Sequence, residues 1–358
     1  MRILVISNMY PSKKDTTYGT FVFSFIEQIR KYNQDGKTDC VVLKGRDGGR
    51  IRKIWKYISF YFSEILHLFF GSYDIVYVHT ITYPIIPIRF VSLFRSLPLV
   101  FNVHGGDVLT HSALAANLKR MARPLMEKSL MVVSPSYYFK DVLKQEFPSL
   151  PEEKIYISPS GGIDMRLFSH QLKLNTEFTL GYVGRIDSMK GWDIFVKAID
   201  ILRKENIECK AIMAGRGKGE EQLIELIGEL NLHDYIKFIG PVSHDQLSNV
   251  YKQMDLFVFP TCLKESLGLV GIEAMACGIP VVGSQIGGLQ DYIKPNKNGY
   301  FFEPGNIFDL VDKIKKYIDL PKDKKVEMQV ESVHTASRYN APQIAYMLYR
   351  KLKTLVRP

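Results

Sequence analysis

The stretch FPTCLKESLGLVGIEAMACGIPVVGS, residues 259–284, reads as a strand end, a loop, a short helix and the start of another strand. Phe259-Pro260 closes an apolar run, Leu269 to Ala276 has helical composition, and Gly278-Ile279-Pro280 stops the helix before Val281-Val282. The same alternation recurs on both sides of it, in FTLGYVG (178–184), CKAIMAG (209–215), YIKFIG (235–240), DLFVFP (255–260), IPVVGS (279–284) and GYFFEP (299–304). An earlier series runs through RILVIS (2–7), CVVLK (40–44), DIVYVH (74–79), LVFNVH (99–104), MVVS (131–134) and KIYIS (154–158). Short apolar strands alternating with helical patterns predict an α/β chain whose parallel sheets are covered on both faces. Two sheets fit better than one of twelve strands, and Pro159, Gly161 and Gly162 break the rhythm, which places a linker near 160–176. Two doubly wound domains then hold a ligand between the carboxyl ends of their strands.

The chain has 358 residues, 46% of them hydrophobic, which supplies two ordinary cores and excludes a disulfide miniprotein or a disordered chain. Its formal charge of +10 is lopsided: residues 1–160 carry +8, 161–310 carry −4 and 311–358 carry +6. A uniformly basic chain points to nucleic acid, whereas an acidic middle between basic ends points to one face meeting an anionic surface. No nucleic-acid partner is therefore expected. Cys40, Cys209, Cys262 and Cys277 show neither CxxC pairing nor zinc-finger spacing, as expected of free thiols in a reducing compartment. RILVIS follows Met1 without a signal-peptide pattern, and the longest uncharged stretch, Ala274 to Gln290, is broken by Pro280 and is too short to span a membrane. A cytoplasmic protein is expected, with any membrane contact peripheral.

The candidate chemistry lies at the strand ends. A helix starting after Gly268 presents unpaired N–H groups and a positive dipole end that favour a phosphate, and Gly268 lets the phosphate approach the backbone. Glu273 falls one turn into that helix, where its carboxylate suits a vicinal diol such as a ribose, while Glu265 stays in the preceding loop with a different task. Either acid alone is explained as an ordinary solvated or helical Glu; the pair in this geometry is not. In GYVGRIDSMKGWD (181–193), Gly184, Arg185 and Lys190 put a fork and a point charge beside a glycine turn, suited to a diphosphate. In FNVHGGDV (101–108), a functional His104, better exposed than a core histidine, is expected. Asp107 either binds substrate or caps the following helix, with the cap as the simpler reading. Gly19 lies in the loop after the first strand. There is no GxGxxG after the first strand, no GxxxxGK[ST], no HExxH, no GxSxG and no Asp-x-Asp for a divalent metal. Any charge on a leaving group then falls to Arg185 and Lys190.

Glu265 to Glu273 forms a Glu-x7-Glu followed by AMACGIPVV. With GYVGRIDSMKG, FNVHGGD, NMYPSKKDTTYGTF and NKNGYFFEPGN, it resembles glycosyltransferase family 4, retaining enzymes of the GT-B fold, along essentially the whole chain. The resemblance implies two Rossmann-like domains facing across a cleft: an acceptor domain over 1–163, a nucleotide-sugar domain over 164–337, and a terminal helix within 338–358 that returns to the first. It implies that Arg185, Lys190 and the amides of Gly268, Leu269 and Val270 bind the donor diphosphate. By the same resemblance Glu273 holds the ribose, Glu265 and its neighbour Ser266 face the donor sugar, His104 lies near the transferred sugar and Gly19 near the phosphates. Arg185, Lys190, Glu265 and His104 form the expected catalytic set, with no metal and no other cofactor. The loop reads Glu265-Ser266-Leu267-Gly268 where the family usually has Glu-Gly-Phe-Gly, and the linker reads Ser160-Gly161-Gly162-Ile163-Asp164 where it commonly has Pro-Asn-Gly-Val-Asp.

The activity this implies is transfer of a sugar, with retention, from a UDP-sugar to a glycan or polyprenyl-linked glycan acceptor in cell-surface polysaccharide synthesis. A nucleotide-sugar epimerase, a sugar phosphorylase and a non-catalytic sugar-nucleotide-binding protein are the rival readings. The acceptor side is basic: Lys44, Arg46, Arg50, Arg52, Lys53 and Lys56 precede a helical pattern in which Ile51, Ile54, Ile58, Phe62, Ile65 and Phe69 recur on one face. Such a helix either lies in an anionic membrane interface on the inner face of the cell membrane or packs on the first sheet.

Overall fold

A computed structural model describes all residues except 16–17, 47–48, 111, 171–174 and 357–358. Part of the expected linker, 171–174, and Asp47 of the basic segment thus lie outside the described residues. All twelve expected strands are present: β1 Arg2–Tyr10, β2 Lys37–Lys44, β3 Ile75–His79, β4 Leu99–Asn102, β5 Met131–Ser134, β6 Ile155–Ile157, β7 Thr179–Val183, β8 Lys210–Ala214, β9 Ile236–Phe238, β10 Leu256–Phe259, β11 Val281–Ser284 and β12 Gly299–Phe302. They form two six-stranded sheets, ordered β2-β1-β3-β4-β5-β6 and β12-β11-β10-β7-β8-β9. Every pairing is parallel.

The chain divides into two compact units. The first comprises Met1–Gly161 and Pro342–Pro358, the second Gly162–Ala341. The division falls within Ser160, Gly161 and Gly162, three successive residues with positive φ, two residues before the expected boundary at 163. The return to the first unit begins at 342 rather than 338. The Ala341–Val356 helix packs Leu348 and Leu352 against Ile3, Val5 and Tyr77, and Tyr32 donates to the carbonyl of Pro342 at 3.0 Å. With that helix the first unit carries a formal +12 and the second −2.

Period-two alternation explains why both faces of each sheet are covered. In β1 and β3, Leu4, Ile6, Val76 and Val78 enter one core layer, while Ile3, Val5, Ile75 and Tyr77 enter the opposite one. In the second unit Leu180, Tyr182, Met213 and Val258 face one layer, and Val183, Ile212, Phe257 and Val281 the other.

One core position runs against this logic. Glu64 points inward from the Arg50–Phe70 helix, fully buried, and neither carboxylate oxygen has a hydrogen-bond partner. Burial pushes its carboxyl well up, so it is held protonated. A raised folded-state value means that stability is full below the ordinary carboxyl range and is lost as pH rises through the folded value. Glu64→Leu is therefore expected to raise stability by about 1–3 kcal/mol at pH 7.5, with the gain shrinking towards pH 4. Urea midpoints of both proteins at the two pH values check it.

Candidate functional site

In an open parallel sheet, adjacent strands whose following connections depart in opposite directions leave a crevice at their carboxyl ends. In the second sheet that point lies between β7 and β10, which pair Leu180 with Leu256 and Gly181 with Phe257. The loops leaving these two strands carry Lys190 and Glu265, 75 residues apart in sequence, and Lys190 Nζ donates to Glu265 Oε1 at 2.6 Å. Thr261 Oγ1 donates to the same oxygen at 3.1 Å, and the Glu265 carbonyl accepts from the Gly288 amide at 2.8 Å. Both side chains of the pair are over four-fifths buried.

A cavity of about 380 Å³ opens there, lined by Gly184, Arg185, Lys190, Arg216, Glu265 and Gly268, together with Leu269 and Val270. Gly268 caps the Leu269–Ala276 helix in the left-handed region, at φ 83°, and no side chain caps that helix start. A Cβ at Gly268 would meet the Phe259 ring at 2.9 Å and Leu289 at 3.0 Å, which together with the left-handed φ reserves the position for glycine. Arg185 is largely exposed, with Nη1 donating to Asp187 Oδ2 at 2.9 Å, and its carbonyl accepts from Tyr182.

Glu273, one turn into the Leu269–Ala276 helix, does not itself line the cavity. It is buried, its Oε2 accepts from Tyr251 at 3.0 Å, and its Oε1 lies 3.4 Å from His244 Nε2. That hydrogen bond raises the His244 imidazole, while burial and the Glu273 charge push the Tyr251 phenol up. Ser266 sits in the Glu265 loop and does not line the cavity.

In the first sheet the corresponding point lies between β1 and β3, which flank each other in the order β2-β1-β3. Thr80, at the end of β3, holds φ 72°, an uncommon conformation for a β-branched residue. Its hydroxyl donates to Asn8 Oδ1, beyond the middle of β1, at 3.1 Å. Next to it, His79 Nδ1 and His104 Nε2 are 3.1 Å apart, their rings stacked at 5.4 Å. Burial pushes His104 down to about 4, and burial together with His104 lowers His79, so both rings are neutral at neutral pH.

His104 is partly exposed, with Phe21 packed on it at a ring-centroid distance of 4.6 Å. One expectation about this loop needs correction. Asp107 does not cap a helix: its Oδ1 accepts from the His104 amide at 2.9 Å and its Oδ2 from the Ile81 amide at 3.1 Å. The following helix, Ala113–Lys128, is capped by Ser112. Asp107 is thereby buried in a brace between the ends of β3 and β4, and burial raises its carboxyl against those amide hydrogen bonds. Gly19 caps the Thr20–Tyr32 helix and lies against the backbone of Met9 and Tyr10.

Sequence reasoning missed Thr261, Tyr251, His244, His79 and Arg216. Arg216, Thr261 and His79 carry a signal, since each sits at or just past the end of a strand. Tyr251 and His244 carry none, being ordinary residues until packing sets them beside a carboxylate.

The profile of the family described as Glycosyl transferases group 1 matches residues 165–332, and that described as Glycosyltransferase Family 4 matches residues 22–164. The chain belongs to glycosyltransferase family 4. A Methanocaldococcus jannaschii protein described as an uncharacterized glycosyltransferase is 28% identical over 253 residues, 66% of this chain and 63% of its own. The D-inositol 3-phosphate glycosyltransferase of Mycolicibacterium smegmatis is 35% identical over 141 residues, 39% of this chain and 32% of that one. The matches thus span less than two thirds of the length of either relative. Among solved structures, sucrose-phosphate synthase from Thermosynechococcus elongatus is similar with a TM-score of 0.79 and 19% identity, covering 99% of both chains. Anabaena Alr3699/HepE, solved with UDP and glucose, has a TM-score of 0.76 at 20% identity, covering 99% of this chain and 100% of that one. The fold is GT-B.

Proposed function

We propose that this chain is a retaining, metal-independent glycosyltransferase that moves a sugar from a UDP-sugar to a glycan or polyprenyl-linked glycan in cell-surface polysaccharide synthesis. The observation that carries this reading is the Lys190–Glu265 pair, set in a cavity beside a helix start at Gly268 that no side chain caps. The UDP captured in Alr3699/HepE supports the choice of base. The cost of the reaction is separation of a nucleoside diphosphate from an oxocarbenium-like sugar. Lys190 has three N–H donors, so it can keep Glu265 and still meet a phosphate oxygen, with Arg185 and the amides of Leu269 and Val270 sharing the charge. Glu273 is assigned to the ribose, Glu265 to the sugar hydroxyls, and neutral His104 to a hydrogen bond with the transferred sugar.

A double displacement needs a free carboxylate on the sugar face opposite the leaving group. Glu265 is instead engaged by Lys190 and Thr261, which favours same-face attack by the acceptor hydroxyl, its proton passing to the leaving phosphate oxygen. Glu265→Gln should therefore retain measurable transfer with weakened donor binding, read as a raised donor KM; complete loss at saturating donor contradicts this role.

Among the described residues, no three His, Cys, Asp or Glu side chains gather as a metal-ligand set. Turnover is expected to survive EDTA. The function itself is tested with UDP-, GDP- and ADP-sugars, scored for nucleoside diphosphate release and for the anomeric configuration of the product. Release from a UDP-sugar with retention supports the reading. Interconversion of the donor sugar without release would favour an epimerase.

A further inference from the structure

We propose that the outer face of the Arg50–Phe70 helix, extended by the Ile85–Val91 helix and the turn after it, docks on an anionic lipid bilayer. This rests on the reading above and deepens it for the polyprenyl-linked acceptor, by naming the surface on which the enzyme meets it. Eleven of the 23 exposed large apolar side chains among the described residues fall between Ile51 and Phe94. On the long helix Ile51 is 74% exposed, Trp55 65% and Phe62 63%; on the neighbouring turn Leu93 and Phe94 are each 65% exposed. Phe69 joins the two elements into one ridge, its ring 6.2 Å from Phe90 and 5.8 Å from Phe94.

Phe69 apart, the ridge is not what holds the helix to the protein. Phe60, Glu64 and Leu68 are buried on the opposite side, with Tyr57, Tyr61 and Ile65 packed against the same core. The apolar face is therefore surplus to folding, and exposed patches of this kind mark interaction sites.

The charge on the face selects the occupant. Arg50, Arg52, Lys53 and Lys56 occupy the first two turns, and the helix's one acid, Glu64, is buried inside. Beside the edge strand β2, a groove of about 590 Å³ is lined by Lys44, Arg52, Trp55 and Lys56. It offers cations to a headgroup phosphate next to an aromatic ring of the kind that settles at membrane interfaces. A second copy fits poorly, because a two-fold contact pairs the patch only with itself, and the helix has no exposed acid to meet these cations. No helix is long and apolar enough to cross a membrane among the described residues, so the contact lies in the plane of the interface.

Flotation of the full chain on vesicles tests it. At low salt the wild-type protein is expected to float with vesicles of phosphatidylcholine and 30% phosphatidylglycerol, and at least tenfold less with phosphatidylcholine alone. Ile58→Glu/Phe62→Glu should lower binding to the anionic vesicles at least tenfold while leaving thermal midpoint and UDP-sugar hydrolysis unchanged. No wild-type binding at low salt overturns the proposal. So does undiminished binding of the double variant, which would reduce the contact to surface charge. So would a wild-type dimer in sedimentation equilibrium that the double variant dissolves, with no vesicle binding. Because flotation does not depend on turnover, a protein that floats yet releases no nucleoside diphosphate would refute the enzymatic reading and leave the surface standing.

Discussion

Lys190→Ala is expected to lower kcat for sugar transfer about a hundred- to a thousand-fold, the loss typical of removing one donor to developing negative charge. The effect has two separable parts. Lys190 is the buried cation of the cavity, and its Nζ is shared with Glu265 at 2.6 Å. Without it the leaving diphosphate loses a charge partner in a site poorly screened by water. The Glu265 carboxylate is also left with Thr261 alone, and a largely buried charge without its partner destabilises the fold by about 1–3 kcal/mol. Lys190→Ala/Glu265→Gln distinguishes the two: stability should return towards wild type while kcat stays low. Full recovery of kcat in the double variant would assign Lys190 a structural task only.

Gly191→Ala should damage the same site through the backbone. Gly191 holds φ 73° at the start of the Trp192–Lys204 helix, and a Cβ there would lie 1.8 Å from the carbonyl oxygen of Pro260. Neither atom can yield cheaply, since Pro260 directly follows β10 and begins the loop that carries Glu265. Left-handed strain of about 1–2 kcal/mol and an overpacking cost of about 1–3 kcal/mol sum to about 2–5 kcal/mol of lost stability. Because the displaced loop holds one half of the Lys190–Glu265 pair, activity should fall with it. Thermal unfolding and turnover of the purified variant check both, and an unchanged midpoint would show that the two loops are not packed this closely.

The strands were legible because each is a short apolar run between punctuating residues, and the Leu269–Ala276 helix matched residue for residue because Gly268 and Gly278 flank it. Ends were less legible where side chains intervene. LVFNVH predicts a strand through His104, but β4 stops at Asn102 because the Asp107 carboxylate captures the His104 amide and turns the chain. The candidate site was half legible: residues at strand ends were found, and their partners were not. Tyr251 meets Glu273 across 22 residues and Lys190 meets Glu265 across 75, contacts set by the strand order rather than by local pattern. On the Arg50–Phe70 helix the apolar stripe was legible, but the buried side is set by Phe60, Glu64 and Leu68, leaving Ile51, Ile54, Ile58 and Phe62 exposed. Ile65 and Phe69, read as part of the same stripe, pack against the core. The two alternatives for this helix were therefore not exclusive.

The central claim is that the cavity between the β7 and β10 loops receives the donor diphosphate, and titration calorimetry with UDP tests it most directly. Wild-type protein should bind UDP without added metal, and Lys190→Ala, shown to be folded, should bind at least tenfold more weakly. Equal affinity in the two proteins, or no binding of UDP, GDP or ADP to the wild type, would contradict it.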